Sequence, residues 1–329
     1  MTSPCRNNPA LGSWSTWLGR LVTVFWFLVV CLTWGTTWIG IKLAVESTPP
    51  LTAAGLRFML AFPLLLIIAK IYRQPIFFPK ERRGFFAFVV VGYFLVPYFL
   101  INFGEQYVSA GLSALLFSAM PIFSLVFSVW FLGQSVNVIQ LFGIGLGFVG
   151  FLSILMHQGV VIGYQGWIGT ACVFSAALMH GLSYVVTKRF GKEIGVITYN
   201  TLPIGVAGLA MTVAGTLFEH PVWSDVTPQS WWALAYLGVV ASVGGFLVYF
   251  YLLKRLSPVV TSFVFLIFPV ISIAIDVWMK GQVLSQGFVA YLALILIGFG
   301  LTKVSASIGS DSGLQLFRRK RISVDGVPR

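Results

Sequence analysis

The chain has 329 residues, 58% of them hydrophobic and only 9% charged, with a formal net charge of +12. Soluble globular chains carry roughly 25% charged residues, so this composition excludes a fully water-facing surface and points to the bilayer as solvent. The basic excess is not a nucleic-acid footprint, because the Lys and Arg residues fall between apolar runs, where they set membrane orientation.

An apolar run of about 20 residues spans the hydrocarbon core as a helix. Ten such runs are predicted, at 21–41, 51–71, 85–103, 107–131, 138–156, 167–187, 197–218, 232–253, 258–279 and 284–303. The expected fold class is therefore an all-α integral membrane protein with ten transmembrane helices. The first run is too long for the apolar part of a secretory signal, and no small-x-small cleavage site follows it, so it is read as a retained helix. The connections are short and leave no room for a soluble catalytic domain.

With the N-terminus on the cytoplasmic side, 18 of the 21 Lys and Arg residues lie at inner ends or in inner loops and tails. Lys42 and Lys280 fall outside, and Arg57 lies within the second run. This asymmetry supports the helix count and places both termini inside. The tail Arg318-Arg319-Lys320-Arg321 reads as a contact with the inner leaflet, that is, with the lipid bilayer itself.

The chain resembles itself at an offset of 148 residues. Ser109, Pro121, Ser124, Val129-Trp130, Gly133-Gln134 and Gly150 match Ser257, Pro269, Ser272, Val277-Trp278, Gly281-Gln282 and Gly298. At an offset of 146, Gly35, Thr37, Trp38 and Lys42 of the first run match Gly181, Ser183, Tyr184 and Lys188 of the sixth, and Trp34 pairs with His180. Two halves of five helices each enter the membrane from opposite sides, which makes them inverted repeats, a geometry suited to alternating access. The expected organisation is a cytoplasmic tail at 1–20, a first repeat at 21–156, a periplasmic linker at 157–166, a second repeat at 167–304 and a basic cytoplasmic tail at 305–329.

The sequence resembles the drug/metabolite transporter superfamily, specifically its EamA-type ten-helix exporters. The resemblance covers residues 21–304 and rests on Trp34-Gly35-Thr36-Thr37-Trp38 with Lys42, on Pro49-Pro50 followed by Leu56-Arg57-Phe58, and on Gln106-Tyr107-x-Ser109-Ala110 and Leu256-Ser257-Pro258. It departs from the family where Gly-Glu is frequent, since both copies here read Gly-Gln. The resemblance implies export or exchange of amino acids or related small metabolites across the bacterial inner membrane.

Polar groups inside a bilayer are costly, so each raises a functional hypothesis. Trp34 and His180 are expected to face one another across a midplane site. Trp34 is suited to stack on a substrate, and His180 to bond a carboxylate or carry a proton; packing and interhelical bonding are the alternatives. Thr37, Ser183 and Tyr184 lie one turn further on and either line the pocket or aid close helix packing. Arg57 either attracts an anionic substrate or pairs with Glu46 and snorkels outward. Asn102, Tyr199 and Asn200 complete the candidate lining. Glu105, in the outer turn between the third and fourth runs, and Asp276 read as interfacial groups, with proton carriage as the alternative. No buried acidic pair is evident, so proton coupling is left open.

Pro121 and Pro269 are matched hinge candidates, because each removes a helical hydrogen bond. Gly145-x-Gly147-x-x-Gly150 lies in an apolar helix with no preceding strand, so it reads as close helix packing (with Gly143-x-x-x-Gly147) and not as a dinucleotide loop. There is no phosphate-binding GxxxxGK[ST] motif, and Cys5, Cys31 and Cys172 show no metal spacing, so no cofactor and no metal are expected. An embedded enzyme would need clustered acid–base residues, whereas His157, His180 and His220 are scattered. A sensor or assembly protein that has lost transport remains the other alternative.

Overall fold

The structure is a computed structural model that describes residues 9–133, 137–159, 163–256, 264–281 and 285–308. Regular structure among these residues is entirely helical. In chain order the helices are α1 (Pro9–Val45), α2 (Pro50–Ile71), α3 (Lys80–Glu105), α4 (Ala110–Leu132) and α5 (Val138–Gly159). There follow α6 (Tyr164–Phe190), α7 (Val196–Phe218), α8 (segments Pro228–Ala235, Tyr236–Gly244 and Gly245–Arg255), α9 (Val264–Met279) and α10 (Gln286–Ile308). Among the described residues seven helices, α1–α4 and α6–α8, are long and apolar enough to cross a membrane, while α5, α9 and α10 contribute shorter apolar stretches. Their outer faces carry bare apolar side chains such as Phe142, Phe218 and Trp278. The protein is a multi-pass membrane protein.

Several expected boundaries shift. Residues 9–20, expected as tail, continue α1, and the linker expected at 157–166 shrinks because α5 runs to Gly159 and α6 begins at Tyr164. Residues 160–162, Gln134, Gln282, Ser257, Pro258 and the basic tail from 309 lie outside the described residues. Pro121 is not a mid-helix hinge: α4 breaks into a turn at Ser118 and Ala119, and Pro121 stands in the first turn of its second segment, Met120–Leu132, where its missing N–H costs nothing. Pro269 does lie inside α9.

Small residues set the helix crossings. A Cβ added at Gly298 of α10 would sit 2.5 Å from Gly143 O and from Gly147 N of α5, so these helices touch backbone to backbone. Gly55 and Gly215 do the same between α2 and α7, and Gly104 and Gly169 between α3 and α6. Gly35 brings α1 onto Ile271 of α9, and Gly181 brings α6 onto Phe123 of α4. Gly133 and Gly281 have φ of +63° and +60°, the left-handed conformation that terminates α4 and α9 without a Cβ clash.

Two π-helical stretches interrupt the regular ladder, Val89–Leu95 in α3 and Tyr236–Gly244 in α8. The offset of 148 lays residues 89–95 on 237–243. Such insertions rotate the following side chains and recur at functional sites. Nothing in local sequence signals them.

Candidate functional site

The π stretches aim side chains at a central cavity. Tyr93, Tyr98, Ala241 and Phe246 come from them or from the turn after, and Trp34, Thr37, Trp38 and Ile41 come from α1. Arg57, Phe117, Met120, His180, Tyr184, Phe265 and Phe268 close the wall around a volume of about 100 Å³. Trp34, Tyr93, Tyr184 and Phe246 also line a second cavity of about 280 Å³, which continues past Thr187, Tyr199 and Asn200 to Gly191 and Ile194 in the α6–α7 loop. One end of the molecule is thus hollow.

The other end is sealed. Lys42 Nζ, in the last turn of α1, donates to the carbonyl oxygens of Glu105, Gln106 and Val108, where α3 turns into α4. Lys280, just past the end of α9, forms an ion pair of 2.9 Å with Asp276. Glu105 is fully buried at 0% exposure, and neither carboxylate oxygen has a hydrogen-bond partner among the described residues. This corrects the expectation of an interfacial Glu105: the turn is tucked inward, with the adjoining Gly104 pressed against Gly169 of α6.

Arg57 is also buried, at 4% exposure, so it neither snorkels nor pairs with Glu46. Its Nε donates to Ser242 Oγ at 2.9 Å, and its guanidinium carbon stands 5.1 Å from the Tyr98 ring centroid. Nη1 has no partner.

Trp34 packs at a tilt against Tyr249 at 4.8 Å and Phe265 at 5.7 Å between ring centroids, while His180 meets Tyr93 at 4.7 Å and Phe117 at 5.1 Å. Both line the first cavity, from opposite sets of helices. His180 Nδ1 lies 3.0 Å from Ala176 O, an oxygen that can only accept, so Nδ1 carries the proton. A neutral ring then offers Nε2 as an acceptor and cannot donate to a carboxylate.

The remaining sequence candidates divide. Thr37 and Tyr184 are on the first cavity wall, and Tyr184, Tyr199 and Asn200 on the second. The Thr37 hydroxyl is used by Thr33 O of its own helix, and Asn200 Nδ2 donates to Val196 O. Asn102 and Ser183 line neither cavity: Asn102 Nδ2 donates to Tyr98 O, and Ser183 Oγ to Gly92 O in the first π stretch. No cluster of His, Cys, Asp and Glu suited to a metal occurs among the described residues. Sequence reasoning missed Tyr93, Tyr98 and Phe246, ordinary aromatics until the π turns rotate them inward.

A profile of the EamA-like transporter family matches residues 21–156 and again residues 167–304. The chain is 36% identical to Protein PagO of Salmonella typhimurium over 282 residues, covering 86% of this chain and 93% of that protein. It is 24% identical to YedA of Escherichia coli K12, named an uncharacterized inner membrane transporter, over 83% of this chain and 87% of that one. A protein of known crystal structure superposes with a TM-score of 0.66 at 16% identity, over 88% of this chain and 99% of the other, a likeness of fold alone.

Proposed function

The chain belongs to the EamA-like transporter family, and on that premise we propose that it is a secondary transporter that exports small metabolites, amino acids or related compounds, by alternating access. The carrying observation is the central cavity, sealed by Lys42 at one end and hollow toward the α6–α7 loop at the other. In the proposed arrangement ten helices cross the inner membrane as two inverted five-helix repeats, both termini are cytoplasmic, and the cavity opens inward. Paired features support the inverted repeat: Gly35 with Gly181, the two π stretches, and the left-handed glycines Gly133 and Gly281. The split of basic residues supports the orientation.

Trp34, Thr37, Arg57, His180 and Tyr184 form the proposed substrate site, with Tyr199 and Asn200 on the entry path. The test is counterflow of a labelled amino-acid and metabolite panel into proteoliposomes. Flux of one compound class, lost in Trp34→Ala and His180→Ala, is expected. Flux unaffected by both substitutions would remove the site, and absence of flux for every compound in folded protein would remove the transport reading for that panel.

A further inference from the structure

We propose that the cavity recognises a monocarboxylate attached to a flat ring, and that it needs no amino group on that substrate; this rests on the transport reading above. Arg57 is the one cation among the described residues lining the first cavity. Its Nε is anchored by Ser242, and Nη1 is buried without a hydrogen-bond partner among the described residues. A guanidinium out of water calls for an anion, and a carboxylate matches its planar fork with two parallel bonds. No acidic side chain lines either cavity among the described residues, and Glu105, the buried carboxylate whose charge reaches Arg57, makes no hydrogen bond to it. One bound monoanion neutralises the site, whereas a dianion leaves a surplus charge and a cation adds to that of Arg57.

The rest of the wall fixes the body of the substrate. Trp34, Trp38, Tyr98, Phe117 and Phe268 line the same cavity as Arg57, with the Tyr98 ring centroid 5.1 Å from the guanidinium carbon. An aromatic slot of this kind favours a flat ring through offset and edge contacts. An α-ammonium would find no carboxylate here and would lose its hydration. In the neutral ring His180 Nε2 is an acceptor and favours a ring that bears an N–H or O–H donor.

The experiment holds the ring constant and varies the head. Binding to the purified full-length protein in nanodiscs is measured by calorimetry for phenylacetate, 4-hydroxyphenylacetate, phenylacetamide, phenethylamine, phenylalanine and acetate. Phenylacetate is expected to bind at least about tenfold tighter than phenylacetamide, through the charge-assisted pair with Arg57. Phenylalanine binds no tighter than phenylacetate, 4-hydroxyphenylacetate binds tighter, and phenethylamine and acetate bind weakest. Arg57→Gln abolishes the preference of acid over amide. If that variant does not fold, Ser242→Ala, which releases the anchor on Nε, is expected to narrow the preference. Equal affinity of acid and amide, tighter binding of phenethylamine or phenylalanine, or no binding of any ring acid overturns the proposal. Counterflow separates the two readings. Ring-acid binding without flux refutes transport and leaves this site standing, while flux of another compound class without ring-acid binding refutes this site alone.

Discussion

Replacing Lys42 by Met keeps the apolar stem and removes the ammonium that closes the sealed end. The three acceptors are backbone carbonyls, two of them at 3.3 and 3.1 Å. A hydrogen bond to a charged group contributes roughly 1.5–3 kcal/mol. Two of these bonds are long and one borders solvent, so the set together contributes about 2–3 kcal/mol. That corresponds to about 30- to 150-fold in the balance between sealed and open forms. The assay places a single reporter, Ile41→Cys, in a background with Cys5, Cys31 and Cys172 changed to Ser. Ile41 is 2% exposed and lines the cavity beside the seal. A membrane-impermeant maleimide added from the periplasmic side should label it faster by that factor in Lys42→Met. The substitution also strips Glu105 of its neighbouring cation, so thermal stability is followed in parallel. Folded protein whose labelling rate does not change would refute the seal.

Other expectations concern packing and capping. Gly298→Ala forces a Cβ onto the α5 backbone and should cost about 1–3 kcal/mol, whereas Gly300→Ala, with nothing within 4 Å, should stabilise by up to about 1 kcal/mol; thermal unfolding of the two in matched nanodiscs gives opposite signs if the α5–α10 contact is as described. The Glu219 carboxylate accepts from the backbone N–H of Leu51 and Thr52 and from Thr52 Oγ1, each at 2.8 Å. Because it caps the start of α2 at a half-exposed site, Glu219→Ala should cost about 1–2 kcal/mol and raise amide exchange at residues 51 and 52.

The places of the helices along the chain were legible and rotation about each helix axis was not. Hydropathy is a signal along the membrane normal, and each of the ten apolar stretches is helical over most of its described length, with turns at 107–109 and at Ser118 and Ala119 inside the fourth. Which side of a helix faces the cavity leaves little trace, because lipid and protein interior are both apolar. Adjacent Ser183 and Tyr184 show the result: the tyrosine lines both cavities, while the serine turns to Gly92 O of α3. Asn102 looked like a lining residue on polarity alone, yet its amide satisfies Tyr98 O one turn back. Glu105 looked interfacial because it sits in a turn, but its depth depends on how α1 and α6 close over that turn, and no local pattern encodes this. Where a residue type has one stringent geometric use, the sequence did speak. Gly143-x-x-x-Gly147 marked close helix packing, which the α5–α10 contact realises, whereas Gly133 and Gly281, in the sequence only a repeat match, proved to be left-handed helix ends.

The two halves share features that are intrinsic to each chain segment, the π stretches, the crossing glycines and the left-handed caps, but they differ in a contact made by their matched lysines. Lys42 is bonded to the turn after α3, while Lys188, its partner at an offset of 146, is exposed at the hollow end. If the repeats exchange roles, the offset of 148 carries Glu105, Gln106 and Val108 onto Leu253, Lys254 and Leu256 at the end of α8. In the outward-open form Lys188 Nζ should therefore donate to those backbone carbonyls and close the inner end. Lys188→Met removes a bond set that exists only in that form, so it should lower periplasmic labelling of Ile41→Cys, the reverse of Lys42→Met. By the same bond energies the decrease should approach about 30-fold, and the double variant should return toward the parent rate. Labelling that rises in Lys188→Met, or that stays at the parent rate, would show that the two lysines are not equivalent gates, and the sequence repeat would then describe ancestry without describing motion.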